Sequence, residues 1–131
     1  MTKKRIISAT TIVSLAVIFL GGCYNGTTLD LTQDVEITGP VGFKADVIPI
    51  FEESCSISGC HNPGGVKPDL SSDKAYNSLI NGGYVDVSSP ETSLVYEFVS
   101  GKRTPVMPVS GVDPTIAATI LAWIQQGAQN N

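Results

Sequence analysis

Apolar residues recur at helical spacing in four stretches after residue 45, and nowhere do they alternate with polar ones for long enough to mark a sheet. In the first stretch Val47, Ile50 and Phe51, with Ser54, share one helical face. Asp46 is placed to cap this helix, Pro49 is tolerable in its first turn, and the helix runs on to Cys55. The second stretch carries Ala75, Tyr76, Leu79 and Ile80; Ser71 or Ser72 caps it and Asn81-Gly82-Gly83 stops it. Ser88-Ser89-Pro90-Glu91 opens the third, with Pro90 at the first helical position and Glu91 three residues after Ser88 as in a capping box. That helix holds Leu94, Val95, Phe98 and Val99 and ends at Gly101. Asp113-Pro114 opens the last, in which Ile116, Ile120, Trp123 and Ile124 recur until Gly127 closes it. The pattern predicts an all-α domain of about four helices over residues 45–131, with no internal repeat.

The chain ahead of that domain has a different character. Lys3, Lys4 and Arg5 precede an apolar run from Ile6 to Leu20, fifteen residues interrupted by Ser8, Thr10, Thr11 and Ser14. This is the layout of an export signal, and the run is short for a membrane-spanning helix. Leu20-Gly21-Gly22-Cys23 resembles the lipobox of bacterial lipoproteins, which implies a signal peptide over 1–22 and lipid on Cys23. An uncleaved anchor with an incidental Cys23 is the alternative. Several acyl chains, each CH₂ contributing roughly 0.8 kcal/mol, hold a protein on a membrane durably. Tyr24 stands where an aspartate would resemble an inner-membrane retention signal, which favours the outer membrane. Residues 24–44 are rich in Gly, Thr and Asp and lack an apolar period, so 23–44 is expected to be a lipidated N-terminus and tether; a short strand at Val35–Ile37 is the alternative.

Loss of the signal changes the charge. From residue 23 onward five basic and twelve acidic residues remain, a net −7. Such a chain is a poor partner for nucleic acid and suits a basic protein partner.

The candidate chemistry sits where the first helix ends, in Cys55-Ser56-Ile57-Ser58-Gly59-Cys60-His61. Two thiols, the second followed at once by an imidazole, are what covalent attachment of a c-type heme needs. Four residues separate the cysteines in place of the usual two. On an unbroken helix cysteines five apart would point roughly 140° apart, against about 60° for cysteines three apart. The peptide must therefore bulge, and Gly59 is suited to the positive φ this needs. His61 is the only histidine in 131 residues, so ligation by two histidines of one chain and multi-histidine metal sites are excluded. Met107, between Pro105 and Pro108, is the only methionine that survives removal of the signal, and its stiffened loop suits a distal iron ligand.

With these residues in place, the order of elements resembles that of mono-heme class I cytochromes c. More closely, VIPIFEESCSISGCH, PDLSSDKAYNSLI, PVMP and ILAWIQQGA are similar to cytochrome c-like domains with lengthened cysteine spacing in exported bacterial proteins, over about residues 46–128. The resemblance implies one covalent heme c attached at Cys55 and Cys60, with His61 as proximal and Met107 as distal iron ligand. It further implies that the first and last helices cross, so that Phe51 meets Ile120 or Trp123, and that the Pro63 carbonyl accepts the His61 Nδ1 proton. A domain this small gains much from a large buried cofactor.

The expected function is electron transfer between redox partner proteins of the cell envelope by a lipid-anchored cytochrome, not an enzyme. No nucleophile with its base, paired carboxylates or phosphate loop appears, and Glu52-Glu53 reads as a solvated helix face. Two other classes stay open: a heme-based gas sensor in which Met107 leaves the iron, and a non-redox lipoprotein with a Cys55–Cys60 disulfide. Trp123, Tyr76 and Tyr96 read as core or rim packing. Lys102 and Arg103 read as solvated cations, with a heme propionate as a conceivable partner near Met107.

Overall fold

A computed structural model of the protein describes residues 35–131; the expected signal peptide, the candidate lipidation site Cys23 and the expected tether up to residue 34 lie outside them. Among the described residues there are four α-helices and no strand. A π-helical turn, Phe43–Val47, runs directly into α1, Ile48–Ser54. Then come α2, Ala75–Asn81; a 3₁₀ turn, Pro90–Thr92; α3, Leu94–Val99; and α4, Pro114–Gln125. The all-α expectation holds. Val35–Ile37 forms no strand.

The first helical segment starts earlier than the apolar period suggests. Asp46 is not its cap: it lies inside the π turn, and its carboxylate reaches back to accept the Gly42 amide at 2.7 Å. Val41 and Phe43, which the composition assigns to the tether, are buried. Phe43 lies 5.0 Å from the Trp123 ring and 6.3 Å from the Phe51 ring, so it links the first and last helices. Its backbone is held by the C-terminal segment. Phe43 N–H donates to Asn131 Oδ1 and Lys44 N–H to the Asn131 carbonyl, both at 2.9 Å. Gln126 completes this belt by accepting from Val41 N–H and donating to the Gly39 carbonyl.

α4 follows its sequence signals. Asp113 accepts the Thr115 and Ile116 amides at 2.8 and 3.2 Å, satisfying two of the unpaired N–H groups of the first turn. Ile120, Trp123 and Ile124 are buried without remainder, and Gly127 takes φ 95° past the end. The predicted third helix is divided. Its capping box does not form, because Ser88 turns to Asp86 instead and Ser93, at ψ 130°, interrupts the helical path. The buried Ser93 hydroxyl accepts the Asp86 amide and donates to the Asp86 carbonyl.

That arrangement has a counterpart. Asp69 accepts from both the amide and hydroxyl of Ser71, as Asp86 does from Ser88. In each case the aspartate's own amide donates to a serine hydroxyl further on, Ser78 or Ser93. The recurring Asp-x-Ser-Ser at 69–72 and 86–89 is thus a local structural repeat, too short to register as a sequence repeat. It also explains why α2 begins at Ala75, after a turn closed by Ser71.

Candidate cofactor site

α1 ends at Ser54 and delivers Cys55 into the core, with its amide still bonded to the Phe51 carbonyl. The chain then leaves helical geometry, and Gly59 takes φ 82°, the bulge that the spacing of the cysteines required. His61 N–H donates to the Cys55 carbonyl at 3.0 Å and so ties the two ends of the heptapeptide together. Both thiols are free. Cys55 is buried, and loss of solvation, followed by the neighbouring Cys60, pushes its thiol up to about 11. It is therefore a neutral thiol at physiological pH. Cys60 is half-buried.

The loop after His61 curls back beneath the imidazole. Gly65 N–H closes a turn on the Asn62 carbonyl, Val66 N–H donates to Cys60 and Leu70 N–H to His61. As a result Nδ1 faces two carbonyls, Val66 at 3.1 Å and Pro68 at 3.0 Å. The expected acceptor, Pro63, lies on the exposed outer side of the turn, and the curl of the chain puts Val66 and Pro68 in that role. Two acceptors select the Nδ1–H tautomer, which leaves a lone pair on Nε2. Gly65 makes the curl possible. A Cβ there would run into the Cys60 carbonyl and come within 2.7 Å of Asn62 Oδ1, a buried atom with no hydrogen-bond partner.

Opposite stand α3 and the loop beyond it. Met107 N–H donates to the Phe98 carbonyl at 3.1 Å and Arg103 N–H to the Glu97 carbonyl, which bind the 101–108 loop to α3. Between the two walls is a cavity of about 420 Å³. Cys55, Cys60, His61 and Met107 all line it; the remaining wall is largely apolar, with Phe51, Leu70 and Val95 among its members. Its volume lies in the usual range for cofactor sites, roughly 300–1,000 Å³. Tyr84, Phe98 and Val66 also contribute, and only the fold turns them toward the cysteines.

The other aromatic and basic candidates have partners elsewhere. Trp123 Nε1–H donates to the Gln129 carbonyl and the Tyr76 hydroxyl to the Ala128 carbonyl, both structural roles. Arg103 is paired with Glu97 at 2.8 Å, and Lys102 lies 4.8 Å over the Tyr96 ring.

The donor set fits a heme: two thiols for its vinyl groups, an imidazole of fixed tautomer, a thioether and an apolar enclosure. Among the described residues no group of three or more His, Cys, Asp or Glu could hold a bare metal ion, and no helix is long and apolar enough to cross a membrane. No protein-family model, curated protein or solved structure matches this chain.

Proposed function

We propose that this protein is a membrane-tethered mono-heme c-type cytochrome that transfers electrons in the bacterial cell envelope. One observation carries the reading: residues far apart in sequence, Cys55, Cys60 and His61 on one side and Met107 on the other, line a single apolar cavity. Heme bound there supplies a one-electron ferric/ferrous couple.

The chain's own residues have separable tasks. Cys55 and Cys60 would hold the heme covalently, the two free thiols matching its two vinyl groups in number. The Val66 and Pro68 carbonyls hold the His61 Nδ1 proton, orient the ring and raise its basicity as a ligand. Met107 offers a thioether from a loop anchored on α3, and thioether ligation raises the reduction potential. Phe51, Leu70 and Val95 exclude water. With His61 and Met107 both available to such a group, the protein would shuttle electrons without substrate chemistry. Donor and acceptor are redox proteins of the envelope, and the lipid on Cys23 keeps the domain at the membrane, with the outer membrane favoured.

The test is expression of the chain in a host that matures c-type cytochromes, followed by denaturing electrophoresis with a heme stain. Heme that stays with the denatured chain is the expected result. A colourless, folded product with a Cys55–Cys60 disulfide, in cells that mature a control cytochrome, overturns the proposal in favour of a structural lipoprotein. CO binding to the reduced protein without denaturant favours a gas sensor instead.

A further inference from the structure

Lys67 is the only Asp, Glu, Lys or Arg among the residues that line the cavity. It follows the loop that curls beneath His61, between the Val66 and Pro68 carbonyls that receive the Nδ1 proton, so its backbone position is fixed by the same bonds that orient the ring. Its side chain is exposed, and among the described residues it has no carboxylate within ion-pair distance. Asp69 feels the Lys67 charge, but its carboxylate already accepts from the Ser71 amide and hydroxyl. Arg103, the other cation close to a lining residue, lies 5.7 Å over Phe98 and is neutralised by Glu97.

A lysine without an ion-pair partner in the lining of an apolar cavity, in a chain that is net acidic, marks where an anionic part of the occupant belongs. Burial of a carboxylate without a partner is costly, so a ligand with carboxylates orients them toward the cation. We propose that Lys67 is the carboxylate-binding element of this site and that it pairs with a heme propionate. The inference rests on the heme reading above and deepens it. The consequence is electrostatic. A bare propionate near the iron favours the ferric state; Lys67 offsets that charge and shifts the couple toward ferrous, so this residue is a positioning and tuning element, not an iron ligand.

The experiment uses the matured full-length chain in detergent, as wild type and with Lys67→Met, Lys67→Arg and Lys74→Met. Lys74 removes the same charge from a residue that does not line the cavity. Redox titration is expected to show the Lys67→Met midpoint lowered by a three- to tenfold change in the ferrous/ferric equilibrium, tenfold being about 59 mV for one electron. Lys67→Arg should retain the wild-type midpoint, and Lys74→Met should move it less than Lys67→Met does. The propionate bending modes in the resonance Raman spectrum should shift in Lys67→Met alone. Equal midpoints for Lys67→Met and wild type, or an equal drop in Lys74→Met, overturns the role of Lys67 while leaving the cytochrome reading intact. A wild-type chain that folds without heme overturns both.

Discussion

At the scale of single residues, the site depends on positions whose chemistry is plain and on one whose importance is steric. Met107→Ala should leave heme attached through both cysteines yet abolish the thioether-to-iron charge-transfer band in the far red of the oxidised spectrum; persistence of that band would place another ligand on the iron. Gly65→Ala drives a methyl group into the Cys60 carbonyl, and overpacking of this kind costs about 1–3 kcal/mol. Because the loop it distorts also supplies the carbonyls that hold His61, heme incorporation should fall along with stability, measured as heme per folded chain. In the unmatured chain, half-buried Cys60 should react with iodoacetamide before buried Cys55, as peptide mass spectrometry of a time course would reveal. Cys55, Cys60, His61 and Met107 stand out in the sequence because their functional groups are rare and unlike their surroundings. Gly65 does not, since its requirement comes from a carbonyl five residues back that only the folded loop brings near.

The elements divide by how local their determinants are. α4 is legible from end to end: Asp113, Pro114 and Gly127 act within a few residues of the groups they satisfy. Asp113→Ala should cost about 1 kcal/mol, as loss of an N-cap usually does, and urea unfolding would register it. The third predicted helix is present but begins at Leu94 and not at Pro90. Ser88 has the spacing of a capping residue, but the Asp86 carboxylate, two residues earlier, takes its amide and hydroxyl. The same bonds give a pH signature. In both Asp69 and Asp86 the serine hydroxyl and amide hold the carboxyl below the usual carboxylate range. A carboxyl with a lowered folded-state pKa contributes stability that is present above its unfolded value and is lost as pH falls through the folded one. Stability should therefore decline as pH drops below about 4, the ordinary carboxylate value. Asp69→Asn and Asp86→Asn should each flatten that decline in urea titrations between neutral and strongly acidic pH, and an unchanged slope would remove these turns from the account.

For the whole molecule, the cavity is the organising fact. A domain of this size has little core to spare, and a largely apolar cavity of about 420 Å³ leaves its walls short of packing partners until something fills it. Cys55→Ser with Cys60→Ser, which prevents covalent attachment, should lower the thermal midpoint and speed proteolysis relative to the matured protein; each kcal/mol lost corresponds to about 4–8 °C for a domain of this length. The sequence by itself determined the helical class, three of the four helices to within a few residues, and the bulge at Gly59, because periodicity, caps and glycine conformations act over short spans of chain. Tertiary structure alone decided that Phe43 is core and not tether, that Val66 and Pro68 rather than Pro63 receive the His61 proton, and that Lys67 is the one charged residue at the cavity. Each of these depends on what a residue faces after the chain has turned back on itself, and that direction is set by contacts between segments that local pattern does not encode.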